Sequence, residues 1–321
     1  MRKRTGGTAA AAVTVLALLV SSCGGSDSNG GSAGGGDDSQ VTVAALPLTD
    51  SAALYIARDR GLFKKEGLDV RIQPVQQSIQ ALPALSKGQV DVIASANYVT
   101  FLQAQEKGTL DVRILAEGVR TAPHMMDVLV PKDSPLKKAA DLKGKKVAVN
   151  ILNNIQTLTL DAILEKRGAG PPAYRQIAFP QMGAALEKGQ VDAVHVVEPF
   201  DSAIQDDLRA RVLADGGASP VESMPISGYV TTAGYAKQHP DTTAKFQRAI
   251  EAASKIADED PAAVRKVLPT YTKVKPAQAE SMGLPAYPPK TEPEQLKRLV
   301  ELMRKQGLLK KDVDPATLVV K

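Results

Sequence analysis

The sequence predicts an α/β protein with two lobes, each built on a mainly parallel sheet flanked by helices. Three observations predict it: a chain of 321 residues with 43% apolar side chains, short apolar runs that alternate with helical patterns, and one segment that occurs twice. A chain of this length rarely packs around a single core. Alternating strands and helices are typical of parallel sheets, whose strands need long crossover connections.

The elements of the first predicted lobe begin at residue 41. They are the strand VTVAAL, the helix SAALYIARDRGLFKKEG, the strand LDVRIQPV, the helix SIQALPALSKGQ, the strand VDVIASA, the helix YVTFLQAQEKG and the strand DVRILAEG. Gly67 closes the first of these helices, because glycine readily adopts the positive φ of a helix C-cap. The order predicts a parallel sheet covered by helices.

The same alternation starts again at KKVAVN. It continues as the helix TLTLDAILEKRG, the strand YRQIAF, the helix MGAALEKGQ, the strand VDAVHVV, the helix FDSAIQDDL and the strand ARVLAD. Two apolar segments, DVLVP at 127–131 and PISGYVTTA at 225–233, are expected to cross between the lobes. Only helical patterns follow the second crossing, and they are best used to cover the first lobe. Lobe 1 is therefore predicted to comprise residues 40–128 plus 226–321, and lobe 2 residues 129–225.

The repeated segment reads ALSKGQVDVIASAN at 84–97 and ALEKGQVDAVHVVE at 185–198. In each copy a helix ends at a glycine, Gly88 or Gly189, and a buried strand follows. We interpret the repeat as a structural turn that is used once in each lobe. The copies diverge at the carboxyl ends of their strands, which is where ligands bind in open α/β sheets.

The first 39 residues predict export and a tether. Residues 1–23 have a basic start, a short apolar run and the ending Val-Ser-Ser-Cys, which together indicate a signal peptide. This ending resembles a bacterial lipobox, which implies cleavage before Cys23, lipidation of its sulfur and anchoring on the outer face of the cytoplasmic membrane. An ordinary signal peptide with an incidental cysteine is the alternative. Residues 24–39 are rich in Gly and Ser and predict a flexible tether with a reach of roughly 20–25 Å.

Charge and motif content exclude several function classes. The formal net charge is +5, but Arg2, Lys3 and Arg4 lie in the leader and the other charges are interspersed, so no nucleic-acid partner is expected. The three histidines, at 124, 195 and 239, do not have metal-site spacing, and no phosphate-binding or dinucleotide-binding glycine motif occurs. We expect no cofactor, no metal and no enzymatic activity, and we assign His124 and His195 to structural roles.

Several short motifs resemble one family of binding proteins. They are Lys132-Asp133-Ser134-Pro135, the run from Asp141 to Val147, Gly61-Leu62-Phe63 with Glu66-Gly67-Leu68, the two Lys-Gly-Gln-Val-Asp turns and Glu198-Pro199-Phe200. Over about residues 40 to 315 the chain resembles the solute-binding proteins of the nitrate, sulfonate and taurine class of ABC importers, which also includes binders of thiamine-pyrimidine precursors. The resemblance implies a type II periplasmic-binding-protein fold. In that fold, lobe 1 comes from both chain ends and two segments form the hinge.

The resemblance also implies a function. A monomer outside the cell would capture a small organic solute between its lobes and deliver it to a transmembrane permease, which a cytoplasmic ATPase drives. One alternative is a membrane-anchored sensor or adhesin without a transport role. Another is an enzyme of the same fold related to the pyrimidine synthases, although the cysteine-rich motif of those enzymes is absent here.

Candidate ligand-binding residues follow the strands of both lobes. They are Thr49, Asp50, Ser51, Gln76, Gln77, Ser95, Asn97, Tyr98, Asn150, Asn153, Asn154, Gln156, Glu198, Phe200 and Tyr229. Residues 49–51 either contact the ligand or cap the following helix. The family often has Gly-Ser where Gln76 and Gln77 stand, which puts an anion-binding role there in doubt. The Asn-rich turn favours a ligand with both donors and acceptors.

Glu198 suggests the chemistry of the solute. A carboxylate beside a closing cleft loses hydration unless it meets a hydrogen-bond donor. If Glu198 lines the site, the solute carries an amine, a cationic centre or a ring N–H, so a taurine-like sulfonate or a nitrogen heterocycle fits better than nitrate. The alternative is a carboxylate that caps its own helix. The rings of Tyr98, Phe200 and Tyr229 either stack on the solute or belong to the core.

Overall fold

A computed structural model describes residues 39–320 of the chain. The predicted signal peptide, the predicted lipidation site Cys23 and residues 24–38 of the predicted tether lie outside the described residues. Between residues 39 and 320, none of the helices combines the length and the apolar character required to cross a bilayer.

The described chain forms two five-stranded sheets. The strands are β1 Gln40–Ala45, β2 Asp69–Pro74, β3 Val92–Asn97, β4 Val112–Arg120, β5 Met126–Val130, β6 Lys146–Val149, β7 Ala173–Gln176, β8 Ala193–Val197, β9 Arg211–Asp215 and β10 Pro225–Thr232. The strand order is β2-β1-β3-β10-β4 in the first sheet and β7-β6-β8-β5-β9 in the second. In each sheet only the fourth strand, β10 or β5, runs antiparallel to its neighbours. The predicted pair of mainly parallel sheets is confirmed.

Helices flank both sheets. They are α1 Ala52–Asp59, α2 Leu62–Lys65, α3 Leu82–Ser86, α4 Tyr98–Glu106, α5 Ile155–Lys166, α6 Phe179–Glu187, α7 Phe200–Leu208, α8 Ala233–Gln238, α9 Pro240–Glu259, α10 Pro261–Val267, α11 Pro276–Ala279 and α12 Pro293–Lys305. The single helix predicted before Gly67 is divided into α1 and α2, because Gly61 between them has a φ of +68° and breaks the helical path. The helix predicted from Ser78 begins as a 3-10 turn and becomes α3 next to Pro83, which lacks the N–H of a helix interior.

The chain passes between the sheets twice, through residues 121–125 after β4 and residues 216–224 after β9. All of β5 pairs with β8 and β9 in the second sheet. The predicted lobe boundary after residue 128 therefore cuts through a strand. We propose that lobe 1 consists of residues 39–120 and 225–320, that lobe 2 consists of residues 126–215, and that the two crossing segments form the hinge.

The second crossing segment packs against the backbone of the first crossing segment and of the first residue of β5. A Cβ atom on Gly216 would lie 2.3 Å from the backbone oxygen of Met126, and one on Gly217 would lie 2.3 Å from that of Ala122. Side chains cannot be accommodated at such distances, so glycine is required at both positions.

The repeated segment folds as the predicted turn in both lobes. Gly88 and Gly189 have φ angles of +66° and +64°, as expected of helix C-caps. The aspartate of each copy also accepts a hydrogen bond across the sheet. Asp91 Oδ2 accepts from the backbone N–H of Thr42 at 2.7 Å, and Asp192 Oδ2 accepts from that of Lys146 at 2.7 Å. Each aspartate thereby fixes its strand to the neighbouring parallel strand.

Candidate functional site

A cavity of about 50 Å³ lies between the two sheets. Its walls come mainly from the carboxyl ends of parallel strands in both lobes, together with the first residues of β5 and β10. The lining residues are Leu46, Leu48, Asp50, Ser78, Ser95, Asn97, Met126, Asn150, Ile151, Asn154, Ile155, Gln156, Phe179, Val197, Ile226 and Ser227. The position matches the general rule that open α/β sheets bind ligands beyond the carboxyl ends of their strands.

Asp50 places a carboxylate in the wall of the cavity. It lies in the 3-10 turn Thr49–Ser51 after β1, and it is 7% exposed. Its Oδ2 accepts a hydrogen bond of 2.6 Å from Ser227 Oγ on β10, whereas its Oδ1 has no partner among residues 39–320. Burial raises the pKa of Asp50, and the bond from Ser227 opposes that rise. A donor from a bound molecule would satisfy the remaining oxygen.

The Asn-rich turn after β6 is held in place by its own amides. The backbone N–H of Asn150 donates to Gln156 Oε1 at 2.7 Å, and Gln156 Nε2 donates to the backbone oxygen of His195. Asn154 caps α5, since its Oδ1 accepts from the N–H of Ile155 at 2.6 Å. Much of the hydrogen-bonding capacity of this turn therefore serves to position the cavity wall.

Hydrogen bonds join the two lobes around the cavity. Gln77 Nε2 donates to the backbone oxygen and to Oδ1 of Asn150, at 3.0 and 3.1 Å. Asn154 Nδ2 donates to Thr100 Oγ1. Near the same end of α5, Gln306 Nε2 after α12 donates to the backbone oxygen of Leu158 at 3.0 Å. The lobes therefore meet in a closed arrangement.

Glu198 lies outside the set of cavity-lining residues. Its carboxylate accepts from Ser202 Oγ at 2.6 Å, from the N–H of Ser202 at 3.1 Å and from the N–H of Gly283 at 3.3 Å. Burial raises the pKa of Glu198 to about 7, although the bonds from Ser202 and Gly283 lower it. This geometry agrees with the alternative that the carboxylate serves the first turn of its own helix.

Six of the predicted ligand-binding residues line the cavity, and the others lie elsewhere. The six are Asp50, Ser95, Asn97, Asn150, Asn154 and Gln156. The residues outside the lining are Thr49, Ser51, Gln76, Gln77, Tyr98, Asn153, Glu198, Phe200 and Tyr229. The rings of Tyr98 and Tyr229 are buried in the core of lobe 1, and Ser51 Oγ bonds to Ser95 Oγ at 2.7 Å. The two tyrosine rings therefore belong to the core, and the hydroxyl of Ser51 is used in a bond within the protein.

Most lining residues that the sequence did not single out are apolar. The apolar ones are Leu46, Leu48, Met126, Ile151, Ile155, Phe179, Val197 and Ile226, and the polar ones are Ser78 and Ser227. An apolar side chain at a strand end has the same sequence pattern whether it faces a cavity or the core. The positions of the two serines in predicted elements were the available signals, since Ser227 lies in the return strand PISGYVTTA and Ser78 begins the helix SIQALPALSKGQ.

A second pocket opens beside the cavity, with a volume of about 350 Å³. Gln76 and Phe200 lie in its wall together with Pro47, Pro199 and Tyr271. The ring of Phe200 stacks on Phe179, which lines the central cavity, with centroids 5.7 Å apart. The two rings therefore stand between the cavity and this outer, more apolar pocket.

The chain is similar to two curated bacterial proteins over part of its length. It is 32% identical over 174 residues to a putative aliphatic sulfonates-binding protein of Escherichia coli (strain K12), which is 52% of this chain and 52% of that protein. It is 32% identical over 148 residues to a putative thiamine biosynthesis protein of Haemophilus influenzae, or 45% of each chain. The chain thus spans about half the length of the curated relatives it matches.

Solved structures resemble the fold over most of the chain. The alkanesulfonate-binding protein SsuA from Xanthomonas axonopodis pv. citri, bound to MOPS, has a TM-score of 0.73 at 24% identity, covering 88% of this chain and 98% of that chain. The nitrate-binding protein NrtA from Synechocystis PCC 6803 has a TM-score of 0.71 at 16% identity, covering 87% and 84%. At these identities the likeness shows the fold, which is the expected type II periplasmic-binding-protein fold.

One family model matches the sequence itself. The model is described as NMT1/THI5 like, and it matches residues 48–264. This match covers more than half of the chain and includes both crossing segments, the Asp50 turn and the Asn-rich turn. The chain therefore belongs to the NMT1/THI5-like family.

Proposed function

We propose that this protein is a solute-binding protein that captures a small organic solute between its two lobes and delivers it to an ABC importer. The observation that carries the proposal is the cavity between the strand ends of two lobes that hydrogen bonds hold together. The names of the Escherichia coli relative and of the Xanthomonas structure, a sulfonate-binding and an alkanesulfonate-binding protein, support the same role.

Binding follows from closure of the lobes. A solute that contacts both cavity walls favours the closed state by its differential affinity for that state. The bonds of Gln77 to Asn150 and of Asn154 to Thr100 form only when the lobes meet. They add to the contacts of the solute, and they present one closed surface to a permease.

We infer the chemical class of the solute from Asp50. Its unpartnered oxygen requires a donor, and a negatively charged group next to it would be repelled in this buried site. The remaining wall is largely apolar, with Leu46, Ile155 and Phe179. We therefore favour a compact solute with an amine or ring N–H, either a taurine-like aminosulfonate whose ammonium meets Asp50 or a nitrogen heterocycle. In this proposal the donor group of the solute meets Asp50, and not Glu198 as the sequence suggested.

A catalytic role is the second candidate, because the Haemophilus influenzae relative is named a putative thiamine biosynthesis protein. The cavity wall offers Asp50 as its carboxylate, but neither His124 nor His195 lines it. The His195 ring is buried, and its Nδ1 lies 3.0 Å from the backbone oxygen of Gln156. The single cysteine of the chain, Cys23, lies outside the described residues 39–320. This arrangement favours binding over catalysis. A sensor that binds the same solute without a permease would have the same cavity.

We further propose that lipidated Cys23 anchors a monomer on the outer face of the cytoplasmic membrane, where it meets the permease and, through it, the ATPase. Mass spectrometry of the mature N-terminus tests the anchor, since a diacylated Cys23 is expected as the first residue. An unmodified N-terminus at another position would contradict it.

A thermal-shift screen of the purified protein tests the solute class. Taurine, alkanesulfonates, nitrate and aminopyrimidines are compared at equal concentration. A ligand at one hundred times its Kd stabilises the folded state by about 2.7 kcal/mol, which raises the melting temperature measurably. We expect shifts with the N–H-bearing compounds. If nitrate alone raises the melting temperature, the proposed role of Asp50 is wrong; if none of these solutes binds, the sensor or adhesin role gains.

A further inference from the structure

Three side chains in or next to the two crossing segments converge at the proposed hinge. His124 lies in the first crossing segment, Asp127 is the second residue of β5, and Asp215 is the last residue of β9. Each offers one ligand atom, and these three atoms all lie within 4.8 Å of one another. Because Asp215 is far from the other two in sequence, spacing alone gave no sign of this cluster. None of the three residues lines the central cavity.

One oxygen of the cluster is buried without a partner. The side chain of Asp127 is 2% exposed. Its Oδ2 lies 3.0 Å from His124 Nδ1, whereas its Oδ1 has no hydrogen-bond partner among residues 39–320. A buried carboxylate oxygen in this position loses its hydration without compensation. Unpaired groups of this kind in a folded protein call for a bound ion or water.

The surroundings of Asp127 are rich in negative charge. Its backbone N–H donates to Asp201 Oδ2 at 2.8 Å, and the charges of Asp215, Asp201 and Glu198 act on the same group of carboxyls. The ring of His124 faces these carboxyls, with its Nδ1 3.0 Å from Asp127 Oδ2. A cation bound at this point would neutralise repulsion that the hydrogen bonds leave uncompensated.

We propose that His124, Asp127 and Asp215 form a binding site for a divalent transition-metal ion, with zinc as the best match. One imidazole nitrogen and two carboxylate oxygens are a donor set that zinc accepts, with a further position for water. The His124 side chain is 62% exposed, so the site has an open path from solvent. The proposal is independent of which solute the central cavity holds.

The site would join the two crossing segments. Asp215 already contacts both, since its Oδ1 accepts from the N–H of Gly217 at 2.8 Å and from that of His124 at 3.3 Å. An ion held between Asp215, His124 and Asp127 would fix the angle at which the segments cross. Metal binding and lobe closure would then be coupled, and such coupling acts equally in both directions.

Zinc titration of the chelator-treated protein tests the site. Calorimetry is expected to show one zinc ion per chain, and saturating zinc is expected to raise the melting temperature by a few degrees. His124→Ala and Asp215→Asn should each weaken zinc binding at least about tenfold, because each removes a ligand. The matched control is His239→Ala, which removes another histidine far from the hinge and should leave zinc affinity unchanged.

Cobalt provides a second readout that depends on the ligands. The wild-type protein and the His239→Ala variant should develop a visible Co²⁺ absorption band that His124→Ala lacks. Because the His124 side chain is exposed, we expect His124→Ala to keep the fold. This variant therefore tests the metal site even if Asp215→Asn unfolds. Equal zinc affinity in His124→Ala and the wild type, or the absence of one-to-one binding, would overturn the proposal.

Discussion

The side-chain amide of Gln77 in lobe 1 donates two hydrogen bonds to Asn150 in lobe 2, one to its backbone oxygen at 3.0 Å and one to its Oδ1 at 3.1 Å. Asn150 lines the central cavity, but Gln77 does not. Gln77 therefore stabilises the closed arrangement without standing in the path of a solute. Its contribution to binding can be separated from direct contact with the ligand.

Gln77→Ala is expected to weaken solute binding about 3- to 10-fold, because it removes hydrogen bonds that exist only in the closed state and each contributes roughly 0.5–1.5 kcal/mol. Calorimetry with whichever solute raises the melting temperature measures the effect. Small-angle scattering without solute should show a larger mean radius in the variant. The control is Gln73→Ala, which changes an exposed glutamine on β2. Equal affinities in both variants would mean that Gln77 does not contribute to closure.

Asp50→Asn is expected to weaken binding of an N–H-bearing solute about 10- to 100-fold, since a bond to a charged partner contributes roughly 1.5–3 kcal/mol. The amide oxygen can still accept from Ser227, so the fold is retained. Because burial disfavours the charged form of Asp50, the variant should also resist urea slightly better at neutral pH. Asp133→Asn, at an exposed position of lobe 2, is the control. Unchanged affinity in Asp50→Asn would remove this carboxylate from the site.

Stability should fall as the pH rises, in part through Glu198. Burial raises the pKa of this group from 4.5 in the unfolded chain to about 7 in the folded state, so the folded protein holds the proton more tightly. The stabilisation present below pH 4.5 is lost as the pH passes through 7. Urea unfolding at several pH values should show Glu198→Gln removing roughly 2–3 kcal/mol of this dependence. An identical slope in both proteins would contradict the raised pKa.

Gly228→Ala is expected to destabilise the protein by about 1–3 kcal/mol. A Cβ atom at this position of β10 would lie 2.0 Å from Tyr98 Oη and 2.7 Å from the backbone oxygen of Ala116. The Tyr98 side chain is fully buried and cannot swing away. Gly234→Ala is the matched control, because its Cβ would meet only Thr232 Oγ1 at 3.8 Å. In helix α8 this change should be neutral or stabilising by up to about 1 kcal/mol. Equal melting temperatures of the two variants would contradict the account.

The features that sequence predicted well are those that neighbours along the chain determine. The turns at Gly88 and Gly189 follow from a helix end, a glycine and a β-branched strand, so their place in each lobe is confirmed. The break at Gly61 was missed because the apolar pattern continues through it. A glycine in the middle of a helical pattern has the same appearance whether the helix continues or stops.

The candidate site was harder to predict because the side that a residue faces depends on distant contacts. Glu198 and Asp50 are both carboxylates after a strand, yet Glu198 turns to Ser202 and Gly283 while Asp50 faces the cavity. Gly283 is far from Glu198 in sequence, so no local pattern predicts the hydrogen bond between them. In the same way, Asp127 and Asp215 come together only because β5 pairs with β9.

Asp91 and Asp192 fix equivalent strands in the two lobes by the same backbone bond, at the ends of those strands that lie away from the cavity. Residues that line the central cavity, such as Ser95 and Asn97, occupy the opposite end of β3. In each lobe, the residue that holds the strand in its sheet and the residues that line the cavity therefore lie at opposite ends of the same strand. Substitutions at the cavity end of the strand can change which solute fits while the aspartate bond at the other end is kept. The fold is therefore suited to acquiring new solutes during evolution.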